Sequence, residues 1–238
     1  MAPLKRFMVA FSTFSLTAMV PTVASSEGFI DLYSGAAYTQ NADVSVKEFA
    51  PFFTPANVRR TVDFDTSIAF GGRIGYWGER VPWLGLALDV SSFRAEGRGV
   101  DIDLIPLSPL LLLRWPMLTG TDFPKGRLQP YVGVGPGIFI IPNFEVDFRP
   151  AVAKKVSEWQ IEKGLDARAG LAWQLHKHFA VFAEYRFTHV SIEFEERRQT
   201  PCVSFAECLN PFRPEARSGT AETTLDTHHL LVGISFRF

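Results

Sequence analysis

The last dozen residues of the chain, Thr227 to Phe238, read T-H-H-L-L-V-G-I-S-F-R-F. Counting back from Phe238 in twos gives Phe236, Ile234, Val232 and Leu230, an unbroken apolar row. The interleaved positions, Arg237, Ser235, Gly233, Leu231 and His229, are mostly small or polar. A strand sends alternate side chains to opposite faces, so this segment reads as a β-strand with one oily side and one wet side. The question it sets for the rest of the chain is which solvent meets the oily side.

The opposite terminus bears on the answer. Lys5 and Arg6 precede an apolar stretch from Phe7 to Val20, and Pro21-Thr22-Val23-Ala24-Ser25-Ser26 supplies small residues for cleavage. This is the pattern of a secretory signal peptide over residues 1–26, cut after Ala24 or Ser26; the competing reading is a buried N-terminal helix. Its removal takes away two bases and no acids, so 24 bases become 22 against 25 acids, a net charge of −3. A nearly neutral chain without basic tracts is not expected to bind nucleic acid. Beyond residue 26 no run of 18 apolar residues occurs, which leaves no candidate for a spanning helix. An exported chain with 13% aromatic residues can still live in a membrane by closing strands into a barrel.

Period-two segments recur through residues 27–238, which read as one domain. They fall at about 28–38, 65–77, 83–95, 100–115, 128–141, 164–175, 179–194 and 223–238. With both termini at one end, the short connections near 78–82, 116–127 and 176–178 share that end. The longer ones, 39–62, 142–160 and 195–222, lie at the other. Pro106 and Pro109 in the fourth segment predict local distortion, because proline gives no N–H to a ladder. The inner face of the fifth, Gly133, Gly135 and Gly137, is nearly bare.

The closing aromatic strand, together with L-Q-P-Y-V-G-V-G-P-G at 128–137, D-A-R-A-G-L-A-W at 166–173 and F-A-E-Y-R-F-T-H at 182–189, resembles the small outer-membrane β-barrel proteins of the opacity-porin-like, OmpX and OmpW type. The resemblance implies an all-β, eight-stranded, antiparallel up-and-down transmembrane β-barrel in the outer membrane of a Gram-negative bacterium. It also implies that Leu230, Val232, Ile234, Phe236 and Phe238 form the signal read by the barrel-assembly machinery. Short turns on the periplasmic side and longer loops outside is the usual asymmetry of such barrels.

Strand parity sends Asp31, Arg73, Asp89, Arg114, Asp166, Arg168, Glu184, Arg186 and Arg237 to the interior, four acids against five arginines. Such charges are tolerable when paired, and the planar guanidinium bridges carboxylates well. Pairing the sixth and seventh segments about position 176 predicts Asp166 opposite Arg186 and Arg168 opposite Glu184. A slip of two residues would set Arg168 against Arg186, which is expected to be unfavourable. An eight-stranded barrel is just wide enough for side chains to fill it. The expectation is a plugged polar lumen rather than a channel. A soluble lipid-binding barrel or sandwich is the alternative, and it would keep its interior apolar.

Few residues suggest chemistry. Cys202 and Cys208, the only cysteines, sit six apart in the last long loop and read as a disulfide in an oxidising compartment; a metal site or redox pair is the weaker reading. His189 and Ser191 form an H-x-S step followed by Glu193, faintly resembling the histidine–serine pair of the outer-membrane lipid A 3-O-deacylases. That family follows its serine with Asn-Ala, where this chain has Ile192-Glu193. The apolar parity changes around Thr188–Val190, which points to a bulge or to the strand's exit from the membrane. Rim residues without catalytic role are the plainer reading. His228 and His229 fall on opposite faces, His176 and His178 flank a turn, and the pairs Asp63/Asp65 and Asp101/Asp103 fit a solvated rim or cation bridging to lipopolysaccharide. No cofactor and no metal are expected.

The expected role is a monomeric outer-membrane barrel in contact with lipid and lipopolysaccharide, acting structurally or through extracellular loops that meet a ligand. The alternatives are a lipid A-modifying hydrolase using His189 and Ser191, and a narrow channel.

Overall fold

The computed structural model describes residues 27–50, 53–148, 152–156, 159–197 and 218–238. Segment 1–26, expected to be a signal peptide, and the pair Cys202/Cys208, expected to form a disulfide, lie outside these residues. Eight long strands form the wall: β1 (Glu27–Thr39), β4 (Ser67–Trp77), β5 (Leu84–Gly97), β6 (Val100–Arg114), β7 (Leu128–Ile141), β10 (Gln160–His176), β11 (Phe179–Arg197) and β12 (Ser218–Arg237). Each pairs antiparallel with the next, and β12 returns to β1 from Phe29↔Arg237 to Thr39↔Thr227, so the sheet closes on itself. Closure removes the sheet edges along the paired length. Both ends of the described chain meet there: Gly28 N donates to Phe238 O and Phe238 N to Gly28 O at 2.9 and 3.0 Å.

Four further strands occupy what the sequence reads as loops. β2 (Ala42–Ala50) and β3 (Phe53–Val62) form a hairpin that adds to the outer end of β12, with Ser218↔Phe49 to Glu222↔Ser45. β8 (Phe144–Phe148) and β9 (Val152–Val156) form another, docked on the start of β6. The hairpins extend the wall at the end away from the termini, the rim that the orientation expected from the sequence turns outward.

The prolines of β6 open its two ladders without changing their register, Pro106 in a gap on the β5 side and Pro109 in one on the β7 side. Ile105↔Ile140 to Leu107↔Ile138 and Leu111↔Val134 to Arg114↔Tyr131 follow one alignment, and the positions between them, around Pro109, go unpaired. Of the two readings of Thr188–Val190, a bulge or the strand's exit from the membrane, the bulge is absent. Pairing of β11 with β12 runs unbroken from Phe179↔Phe236 to Arg197↔Ser218. Parity changes in the sequence because the interior changes from charged to apolar at that height: Thr188, Val190 and Ile192 all point inward and are buried.

The β10–β11 register also differs from expectation. Arg168 lies opposite Arg186, Asp166 opposite Thr188, and Gly170 opposite Glu184. A turn of only Lys177-His178, with an irregularity between Gln174 and His176, sets this alignment. The like charges are tolerated because acids from other strands reach both of them: Asp89 of β5 approaches Arg168 and Arg186 alike.

Candidate functional site: the charged interior and the outer rim

The interior is built in three tiers. Midway along the barrel, Arg73 Nε donates to Asp31 Oδ2 and its Nη1 to Glu184 Oε2, both at 2.8 Å. Arg168 reaches Asp166 Oδ2 at 2.7 Å, Asp89 Oδ2 at 2.9 Å and Glu184 Oε1 at 3.3 Å. Arg186 approaches Asp166 Oδ2 at 2.6 Å and Asp89 Oδ1 at 3.2 Å, and donates to Ser91 Oγ at 2.8 Å. Two phenols complete the tier: Tyr33 donates to Asp89 at 2.8 Å and Tyr131 to Glu184 at 2.6 Å. Asp89 and Asp166 thus each bridge Arg168 and Arg186, and the facing arginines share their counter-charges.

Glycine creates the room. A Cβ at Gly170 would stand 2.5 Å from Tyr131 Cζ, and one at Gly133 would stand 3.0 Å from Arg168 Cγ and 2.5 Å from Leu112. On the bare face of β7, the space left by Gly133 is therefore occupied by Leu112 and Arg168.

Toward the termini lies a second tier. Glu27 bridges Arg114 at 2.7 Å and Arg237 at 3.2 Å, while Gln129 Oε1 accepts from the same two arginines at 3.2 and 2.7 Å. Arg114 also donates to Pro82 O at 2.8 Å and lies over Trp77, 4.3 Å from the ring centre. A void of about 20 Å³ separates the two tiers, bounded by Asp31, Arg73, Arg114 and Arg237 among others. That is room for a water-sized guest and no more. Among the described residues the buried interior charges are five carboxylates and five arginines.

The third tier, at the outer end, is apolar: Phe93, Ile102, Leu104, Phe139, Ile141, Val190, Ile192 and Leu225 are all buried. His229 marks the boundary, its Nε2 3.2 Å from Thr188 Oγ1 and its ring edge-on to Phe93 at 4.8 Å. The expectation is a polar filling, and the apolar cap corrects it at this end.

All nine charged residues assigned to the interior are buried there. Sequence reasoning missed Glu27, which shares parity with Asp31 and could have been found from that alone. It also gave no role to the phenols of Tyr33 and Tyr131 or to Gln129, whose partners lie on distant strands.

The outward face of the same wall is apolar. Leu32, Ile68, Phe70, Leu230 and Val232 are between 58% and 73% exposed. Leu230, Val232, Ile234, Phe236 and Phe238 form an exposed row down β12. At the rim His189 points outward, and its Nδ1 lies 2.6 Å from Asp226 Oδ1 on β12. Ser191 Oγ sits 3.5 Å from Thr224 Oγ1, and Glu193 pairs in register with Glu222. The acid at the imidazole is thus Asp226, on the neighbouring strand, where sequence reasoning offered Glu193. One step of the ladder lower, His228 Nδ1 meets the Tyr185 hydroxyl at 2.5 Å and its Nε2 meets Gln40 at 2.7 Å, with Phe187 and Tyr38 rings beside it.

No protein-family model and no curated protein matches the chain. Solved structures do. The outer membrane protein OprG from Pseudomonas aeruginosa aligns with 90% of this chain and 98% of its own, at 16% identity and a TM-score of 0.56. Neisserial surface protein A aligns over 89% of this chain and 97% of its own, at 12% identity and a TM-score of 0.48. The N-terminal β-barrel domain of Pseudomonas aeruginosa OprF covers 90% and 100%, at 13% identity and 0.43. With the closed eight-strand topology, the likeness to OprG shows that this chain has the fold of the small eight-stranded outer-membrane β-barrels.

Proposed function

We propose that this chain is an integral outer-membrane protein of a Gram-negative bacterium, exported by its N-terminal segment and closed to solutes. It would act structurally or through the hairpins and loops of its outer rim. One observation carries the reading: apolar side chains are exposed around the wall while ten charged ones are buried inside it. In water that arrangement would leave a large greasy surface exposed, whereas hydrocarbon is its natural solvent. Lumen closure is supported by the paired arginines and by the small size of the void between the tiers.

The protein should fractionate with outer membranes and run faster before boiling than after it in detergent gels. Purified barrels in a planar bilayer should give no stable conductance. A monomer freely soluble without detergent would refute the membrane placement, and a robust ohmic pore would refute the closed lumen and favour the narrow channel. The loop ligand, the contact with lipopolysaccharide and recognition of the last strand by the barrel-assembly machinery belong to the same reading.

A second reading is favoured by the His189–Asp226 contact. A carboxylate at Nδ1 orients an imidazole so that Nε2 can take a proton, which is the support a serine nucleophile at Ser191 would need for hydrolysis of a lipid A ester. Mass spectrometry of lipid A from cells expressing the chain or its S191A variant separates the readings. Loss of one acyl chain only with the wild type would establish the hydrolase; unchanged acylation would leave the barrel without that activity.

A further inference from the structure

The outward face is not evenly greasy. On β10 and β11 the small side chains of Ala169 and Ala183 leave a shallow, open hollow, walled by Val132, Leu171, Tyr185 and Leu230 and reaching Trp115 at its lower end. A second hollow continues across Ala183 toward Leu32 and Ser34. The hydroxyl of Tyr185 reaches His228, so the apolar hollow ends at a polar group. In register, Ala183 pairs with Val232, Tyr185 with Leu230, Phe187 with His228, and His189 with Asp226. The outward face therefore climbs from an alanine floor through an aromatic step to an imidazole–carboxylate pair.

The heights fit one leaflet. Six residues separate Ala183 from His189, about 20 Å along a strand at roughly 3.3 Å per residue. Tilted by about 40°, that is a depth of roughly 15 Å, half of a hydrocarbon layer about 30 Å thick. The polar end lies at the rim away from the termini, which the proposed membrane placement sets in the outer leaflet. It offers flat rings (Tyr38, Phe187, His228) beside hydrogen-bonding groups (Gln40, Asp226, His189), a combination suited to a sugar ring with its hydroxyls.

We propose that this strip is a binding site for lipopolysaccharide, one acyl chain lying over Ala169 and Ala183 and the saccharide head resting against His228 and the His189–Asp226 pair. The site rests on the membrane placement but not on hydrolysis.

Native mass spectrometry of the full-length barrel in detergent tests it, with lipid A or phosphatidylethanolamine added. One lipid A retained per barrel is expected, weakened at least tenfold by filling the hollow (A169L/A183L) and at least tenfold by removing the head contacts (D226N/H228A). L88A, on the outward face of β5, should change nothing. Wild-type retention in both double variants, or equal retention of phosphatidylethanolamine, would overturn the site. Should the leucine variant not fold, the D226N/H228A pair decides alone. Failure of the wild type to bind while still shifting on boiling sinks the site and spares the membrane placement; failure to shift strikes the placement itself.

Discussion

Replacing Arg168 by methionine tests whether the interior network holds the barrel together. The guanidinium is wholly buried and bridges Asp166, Asp89 and Glu184. Its tier contains four carboxylates, Asp31, Asp89, Asp166 and Glu184, and three arginines, Arg73, Arg168 and Arg186, a formal balance of −1. R168M moves the balance to −2 while roughly keeping the volume, so the loss is electrostatic more than steric. Breaking a buried ion pair by removing one partner costs about 3–5 kcal/mol. Here each acid keeps another partner: Asp166 keeps its ion pair with Arg186, Asp89 keeps Arg186 and Tyr33, and Glu184 keeps Arg73 and Tyr131. The lower end, about 3 kcal/mol, is therefore expected, roughly a hundredfold in the folding equilibrium. Urea unfolding in lipid vesicles, followed by tryptophan fluorescence, measures it. Adding D166N returns the tier to −1 and should recover at least half of the loss. If R168M costs under about 1 kcal/mol, or D166N deepens the damage, the shared-counter-charge account is wrong.

Three further outcomes are expected. Gly170→Val should cost about 1–3 kcal/mol, because the new side chain meets Tyr131 and displaces its hydrogen bond to Glu184; the same unfolding assay reads it, and a neutral result would mean the ring moves freely. Phe139→Ala, in the apolar outer tier, should cost about 3–5 kcal/mol by leaving a cavity over Gly137 and Gly164, read by the same unfolding curves; a cost below about 1 kcal/mol would mean the tier collapses to fill it. On the outer hairpin, the Thr61 hydroxyl and then Arg59 hold the Asp43 carboxyl below the usual aspartate range. A depressed folded value means the hairpin's support from Asp43 is present above the unfolded pKa and lost as pH falls through the folded one. Carbon NMR of Asp43 should show the low midpoint, and T61V should raise it; an unmoved midpoint would dismiss the hydroxyl's part.

The wall was legible in the sequence because period-two alternation over a dozen residues has one physical meaning. β7 was bounded at the same residues from sequence and structure, and the other seven wall strands to within a few. What escaped was non-local. The β10–β11 register looked wrong for charge when only two strands were considered, since Asp89 enters from β5 and cannot be seen from the hairpin. The apolar cap reads in the sequence as a bulge or an exit from the membrane because alternation reports the contrast between two faces. Once both faces are apolar, as at Val190 and Ile192, the contrast fades although the strand continues. At the rim, the partner of His189 is Asp226, 37 positions onward, and only the β11–β12 pairing brings the two together.

The mid-height tier draws its charges from five strands, β1, β4, β5, β10 and β11, and its full set of bonds cannot form until those strands surround a common axis. A half-built sheet can already pair Asp31 with Arg73 and Asp166 with Arg168 and Arg186, but it leaves Asp89 without those two arginines and Arg73 without Glu184. The bonds that cross the barrel, Asp89 to Arg168 and Arg186 and Arg73 to Glu184, therefore form only with ring closure, and a barrel that opened along a seam through this tier would have to hydrate them together.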